Sequence, residues 1–196
     1  MNPVLCLVTD RRRFGAPWES AVVDRVHAAA TAGVHLIQIR ERDLDGGPLM
    51  HLVSASLEAV RGTRTRVVVN DRLDVALATG AHGVHLRGDS FAASRVRAWT
   101  PAGFLIGRSV HSAAEAVASA DDGSTDYLIF GTVFESTSKR ERVAAGLNKL
   151  SEVVRVTRIP VLAIGGITAD RIAEVMQAGA AGVAGISMFD MLPLVS

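Results

Sequence analysis

The chain carries clusters of basic, amide and hydroxyl residues placed at the ends of short apolar runs. Gln38-Ile39-Arg40-Glu41-Arg42 closes one such run. Alternation along an extended strand sends Gln38, Arg40 and Arg42 to one side. Two guanidiniums and an amide on one side suit a polyphosphate, because arginine grips phosphate oxygens in a bidentate fork. The bland alternative is an internal ion pair between Arg40 or Arg42 and a nearby carboxylate. A later run ends in Asn70-Asp71-Arg72, and another leads to His85-Leu86-Arg87-Gly88-Asp89-Ser90. Asp71 and Asp89 are candidate ligands for Mg2+, a hard cation that takes oxygen donors and shares them with substrate phosphates. Asp71 could instead cap the helical stretch Leu73–Ala78, and Gly88-Asp89-Ser90 could be a plain turn. His85 reads equally well as a hydrogen-bonded interior histidine.

Further along, Gly107-Arg108-Ser109-Val110-His111 places Ser109 and His111 on one side, with His111 a candidate acid or base. No nucleophile, base and orienting group form a hydrolase set. Ser136-Thr137-Ser138-Lys139-Arg140 offers hydroxyl and ammonium donors for an anion within a polar loop that could close as a lid, or be simply solvated. Ile164-Gly165-Gly166-Ile167 and Gly185-Ile186-Ser187 end the last two runs, and glycine there lets backbone N–H groups approach a phosphate.

These residues need a scaffold that gathers strand ends. Eight short apolar runs serve: Val4–Val8, Val34–Ile39, Arg66–Val69, Gly83–Leu86, Phe104–Gly107, Tyr127–Phe130, Pro160–Ile164 and Gly182–Ile186. Continuous apolar runs are expected of parallel strands covered on both faces. Between them, Leu49, Leu52, Val53, Ser56, Leu57 and Val60 recur at helical spacing. Ser112 and Glu115 could form a capping box on a helix through Ala120, and Ile172, Val175 and Met176 line another helix ending near Gly179. Ala32-Gly33-Val34, Gly80-Ala81-His82-Gly83-Val84 and Ala178-Gly179-Ala180-Ala181-Gly182-Val183 repeat one helix-to-strand return. Eight such units, with no glycine-rich turn after the first strand, predict an α/β chain folded as one (β/α)8 TIM barrel over residues 1–196. Function then belongs at the C-terminal strand ends, with phosphate after strands seven and eight. The stretch after the last strand, from Ser187 on, is too short for a full closing helix. It leaves the final seam bare or covered by a partner, as in a homodimer.

Bulk properties agree. With 196 residues, 48% hydrophobic and 21% charged, a sizeable core is available. A net charge of +1 argues against nucleic-acid binding, and no apolar run reads as a membrane span or signal core. One cysteine, Cys6, excludes an internal disulfide and reads as a buried inert thiol; the cytoplasm is the expected compartment.

In their order, these motifs resemble the thiamine-phosphate synthase and thiazole tautomerase family. The resemblance runs from Leu7-Val8-Thr9-Asp10 through Gly182–Ser187, with Asp126-Tyr127 and Gly83-Val84-His85-Leu86 among its pieces. It implies a transferase of thiamine biosynthesis acting on phosphorylated small molecules. In such enzymes diphosphate leaves an aminopyrimidine methyl carbon with Mg2+ assistance, and the nitrogen of a thiazole phosphate captures the carbon. Gln38, Arg40, Asn70, Ser109, Ser136, Ser138 and Lys139 correspond to positions that hold diphosphate or pyrimidine. Gly166 and Ser187 correspond to the thiazole phosphate site, and Asp71 to one Mg2+ ligand. Arg40, Lys139 and His111 are the residues expected to carry the chemistry. Arg42 replaces a lysine, the second acidic position falls on Ser90 beside Asp89, and serines at 136 and 138 replace commoner threonines. Ile39-Arg40-Glu41-Arg42, Gly107–Ser112 and Phe130–Glu135 look closer to the tautomerases, whose catalytic histidine falls on Thr132. Two alternatives therefore stand beside the synthase: a tautomerase with another base, and a catalytically weak barrel that binds thiazole or thiamine phosphate.

Overall fold

A computed structural model describes residues 2–135 and 143–192. Eight parallel strands close into a barrel in sequence order: β1 (Val4–Val8), β2 (Leu36–Ile39), β3 (Arg66–Asn70), β4 (Gly83–Leu86), β5 (Leu105–Val110), β6 (Tyr127–Gly131), β7 (Val161–Ile164) and β8 (Gly182–Gly185). The last strand pairs with the first, Cys6 opposite Ala184. Helices α1 (Trp18–Thr31), α2 (Gly46–Ala59), α3 (Leu73–Thr79), α4 (Ala93–Arg97), α5 (Ala113–Asp122), α6 (Gly146–Arg155) and α7 (Ile172–Gln177) connect them.

The pleat sorts the apolar runs into two cores. Cys6, Val8, Leu36, Val68, Tyr127, Ile129, Leu162 and Ala184 fill the barrel. Their neighbours Leu7, Ile37, Ile39, Val67, Val69, Val84 and Ile106 face outward onto the helices. Both faces are thus apolar, which is why the strands carry no polar alternation. Burial drives the Cys6 thiol up to about 12, so it stays protonated and inert, as expected.

Strand boundaries shift where local backbone decides. β2 starts at Leu36 because Val34 still donates to Ala29 at the end of α1. β5 continues through Ser109 and Val110, opposite Ile129 and Phe130. β8 stops at Gly185 as the chain turns into a short 3-10 segment, Ser187–Phe189. That tail covers the β8–β1 seam itself. Phe189 is buried, Arg25 donates to the carbonyls of Phe189 and Leu192 (2.8 and 3.0 Å), and Arg13 pairs with Asp190 (2.5 Å). No partner is needed to close this seam. Among the described residues no helix is long and apolar enough to cross a membrane.

Candidate active site

The inward parity of β2 and β3 brings Gln38 and Asn70 side by side below the C-terminal rim. Gln38 Nε2 donates to Asn70 Oδ1 at 2.9 Å, and both residues are buried. Arg40 follows with the same parity. Its backbone N–H donates to Thr9 Oγ1 (2.9 Å), whose hydroxyl donates to Glu41 Oε1 (2.6 Å). Glu41 Oε2 accepts from the Arg11 amide at 3.0 Å. A buried carboxylate therefore ties the β1 loop to the β2 loop and sets the backbone at Arg40. Burial pushes the Glu41 carboxyl above its ordinary value, and the bonds from Thr9 and Arg11 oppose that rise. The sequence reading passed over Thr9 and Glu41; the signal available was an acid flanked by two arginines on a strand end.

Among the described residues, no carboxylate lies within ion-pair distance of Arg40 or Arg42. The internal ion pair is thus not found there. Burial first, then the charge of Arg42, lowers the Arg40 guanidinium from its ordinary value. Arg42 itself departs from the expected alternation. The strand ends at Ile39, and Arg42 lies exposed in a turn closed by Leu44 N–H to Glu41 carbonyl (3.3 Å).

At the next rim position Asp71 adopts φ 60°, a left-handed backbone uncommon for a non-glycine residue. Its amide donates to the His85 carbonyl (2.9 Å), and its carboxylate accepts from the Ser90 hydroxyl and from the Arg87 amide (3.4 Å). Asp71 caps no helix: α3 has Arg72 at its N-cap with no side-chain cap bond. Asp89 is not brought to Asp71. It is 72% exposed and held by both ends of the Arg87 fork (2.9 and 2.7 Å), while Arg87 Nε also stands 3.5 Å from Asp71. Ser90 takes the place beside Asp71. Arg108, another residue the sequence reading did not single out, arranges this: it donates to the carbonyls of Phe91 (2.9 Å), Gly88 (3.3 Å) and Ser90 (2.9 Å). Among the described residues no cluster of three or more His, Cys, Asp or Glu could hold a metal. Asp71 and Ser90 offer one carboxylate and one hydroxyl. That fits Mg2+, which keeps water and phosphate oxygens for most of its shell.

Ser109 lies at the end of β5 with Oγ 2.9 Å from His85 Nε2. His111 extends past it, exposed, with Nδ1 2.7 Å from the Gly131 carbonyl. A carbonyl only accepts, so Nδ1 carries a proton and Nε2 is the ring's basic nitrogen. Ser112 caps α5 through the Glu115 amide (3.2 Å), but the Glu115 carboxylate reaches back to the His111 amide (2.8 Å), not to that of Ser112. Ser136, Ser138 and Lys139 lie outside the described residues.

Across the mouth, Gly165 and Gly166 follow β7. Neither amide finds a partner among the described residues, and both residues are partly exposed. Such amides suit an anion. The need for glycine has a further cause, however. A Cβ at Gly166 would stand 2.3 Å from the Glu135 carbonyl and 2.8 Å from Phe134 Cβ, and φ there is 63°. The β6 loop, not open space, fills that side. Ser187 is exposed at the start of the tail's 3-10 turn.

A model of the family described as thiamine monophosphate synthase matches residues 5–189. The chain belongs to the thiamine monophosphate synthase family. It is 40% identical over 185 residues to a thiamine-phosphate synthase of Roseiflexus castenholzii, covering 94% of this chain and 79% of the relative. It is 42% identical over 165 residues to that of Methanoculleus marisnigri, covering 84% and 78%. Among solved structures, a thiamine phosphate pyrophosphorylase from Pyrococcus furiosus superposes with a TM-score of 0.80 at 34% identity, covering 93% of this chain and 85% of that one. The closed barrel brings the C-terminal ends of β2–β5 and of β7–β8 to one rim.

Proposed function

We propose that this chain is a cytoplasmic transferase that joins hydroxymethylpyrimidine diphosphate to thiazole phosphate, yielding thiamine phosphate and diphosphate. The observation that supports this reading is two separate sets of unmet donors on the rim. Among the described residues, Arg40, partly buried, has no carboxylate partner on one side, and the amides of Gly165 and Gly166 have no acceptor on the other. One substrate brings a diphosphate and the other a monophosphate, so two places are what the reaction requires.

In the reaction the bond from the pyrimidine methylene carbon to the diphosphate oxygen breaks, and its electron pair leaves with diphosphate. The thiazole nitrogen supplies the pair for the new C–N bond. Arg40 and Lys139 stabilise charge growing on the leaving group. Asn70 and Gln38 orient the ring below them, and Ser109 offers its hydroxyl. Gly165, Gly166 and Ser187 hold the thiazole phosphate so that its nitrogen faces the same carbon. Asp71 and Ser90 would hold Mg2+, whose charge would help the diphosphate to depart.

The Nε2 of His111, which has no partner among the described residues, favours one second reading, a thiazole tautomerase with His111 as its base, since Thr132 cannot serve. Incubation with both phosphorylated substrates, with and without Mg2+, separates the readings. Thiamine phosphate and diphosphate should form in equal amounts, faster with Mg2+. Turnover of a thiazole carboxylate phosphate alone would move the assignment to the tautomerase. Binding of both substrates with no product would leave only a binding barrel.

A further inference from the structure

Three residues on adjacent strands share one row inside the barrel: His85 opposite Gly107, and Gly107 opposite Tyr127. Gly107 matters because it has no side chain. A Cβ there would lie 2.1 Å from Tyr127 Cζ and 2.4 Å from its hydroxyl, so the tyrosine ring crosses over the glycine to reach His85. Tyr127 Oη stands 3.1 Å from His85 Nδ1, and His85 Nε2 stands 2.9 Å from Ser109 Oγ. Tyr127 and His85 are buried; Ser109 opens onto the mouth.

Counting donors fixes the direction of this chain. Among the described residues, the Tyr127 hydroxyl has no acceptor other than His85 Nδ1. If Nδ1 carried a proton, the buried tyrosine proton would be left without a partner, which buried donors avoid. With Nδ1 bare, Tyr127 donates to it, Nε2–H donates to Ser109 Oγ, and every buried donor is used. Ser109 Oγ then serves as acceptor toward the protein, and its own proton is free for the mouth. We propose that the Tyr127–His85 pair is a positioning device that holds Ser109 as a hydrogen-bond donor to a phosphate oxygen of the diphosphate substrate. The proposal rests on the reading of Ser109 as a substrate contact. Ionised phosphate oxygens only accept, so a serine locked the other way would present lone pairs to lone pairs. The register supports the arrangement: Asn70 stands opposite His85 and accepts from Gln38, two residues before Arg40, so an anion beside Arg40 would lie within the same part of the mouth.

The test uses the whole chain and inorganic diphosphate as probe, titrated by calorimetry. Ser109→Ala should weaken binding about tenfold or more, as expected for a lost hydrogen bond to a charged group. Tyr127→Phe removes only a hydroxyl and frees the tautomer. It should weaken binding about two- to fivefold, because only a fraction of molecules then present the competent serine. The double variant should bind no more weakly than Ser109→Ala alone, since the tyrosine acts only through Ser109. Two-bond 1H–15N spectra of the wild type should show His85 protonated at Nε2. If Ser109→Ala binds as the wild type does, the reading of Ser109 fails and the proposal with it. If Ser109→Ala weakens binding but the Tyr127→Phe loss multiplies with it, or if Nδ1 carries the proton, the site reading stands and the proposal is overturned.

Discussion

Arg40 should be a residue that the protein carries at a cost to its own stability. It is half-buried, it faces no carboxylate within ion-pair distance among the described residues, and Arg42 adds like charge nearby. Both effects disfavour the charged guanidinium in the substrate-free protein. A bound diphosphate reverses the sign of each, since it supplies the missing counter-charge in a partly desolvated place. Arg40→Met keeps the apolar stem and deletes the charge, so lost packing is small. Losing one partner of a desolvated charge pair costs about 2–5 kcal/mol. Arg42 is exposed but retains its charge, so the lower part of that range applies, about 30- to 200-fold in diphosphate affinity. The same change should raise the stability of the substrate-free protein by about 0.5–1 kcal/mol, an increase of about 1–4 °C in Tm for a chain of this size. Arg40→Lys restores charge without the planar fork and should fall between wild type and Met in affinity. Calorimetric titration and thermal unfolding on the same preparations check both arms. Unchanged affinity together with a lower Tm would refute the reasoning, because it would mean that the guanidinium is already satisfied by the protein.

The remaining expectations concern the other groups at the mouth. Diphosphate should bind more tightly when Mg2+ is added, and Asp71→Asn should remove that gain in a titration while leaving the melting transition in place. His85 is buried neutral, with a folded pKa of about 3 against an ordinary 6.5, so its contribution is complete above pH 6.5 and is lost as pH falls toward 3. Between pH 7 and pH 5 urea unfolding of the wild type should therefore lose about 2 kcal/mol more than that of His85→Gln; parallel pH profiles would count against the buried neutral ring. Gly166→Val should remove sulfate or phosphate from the β7–β8 rim of soaked crystals and also destabilise the protein by about 1–3 kcal/mol. Its Cβ would run into the Glu135 carbonyl at positive φ, whereas an undisturbed Tm would mean that the loop does not sit there.

The sequence was informative wherever a single strand's own pleat sets the answer. Continuous apolar runs and the repeated Ala-Gly returns led to eight parallel strands, and the pleat that put Gln38 on the side facing the site agrees with its bond to Asn70 inside the barrel. Parity failed at Arg42 because the strand had already ended, and a turn owes nothing to the period of two. At Asp71 the sequence left a cap and a ligand open; the structure removes the cap, and shows a left-handed backbone and a hydroxyl contact from 19 residues away that no local pattern announces. Asp89 was the better metal ligand by residue type. Ser90 is the one delivered to Asp71, because Arg108, 18 residues further on, fastens the loop by three carbonyls while Arg87 draws Asp89 outward. Backbone carbonyls have no signature in a sequence, so a side chain that works by gripping them looks like any solvated arginine.

The same limit explains Gly166. Its glycine was legible as an approach to an anion, but the approach that demands it most directly is that of the β6 loop, whose Glu135 carbonyl and Phe134 side chain occupy the Cβ direction. These two causes are compatible, and together they couple the rims. Phe134 and Glu135, which lead out of β6, lean on Gly166, the residue whose amide we propose faces the thiazole phosphate. Arg171 reinforces that contact, donating to the Gly166 carbonyl at 3.2 Å while its guanidinium lies 4.5 Å from the Phe134 ring centroid. A side chain forced into position 166 should therefore displace Phe134 and Glu135, next to the proposed diphosphate residue Ser136, as well as the proposed monophosphate site. Loss of affinity for both anions from a single glycine substitution is the consequence of that packing, and binding of the two anions at independent places would not produce it.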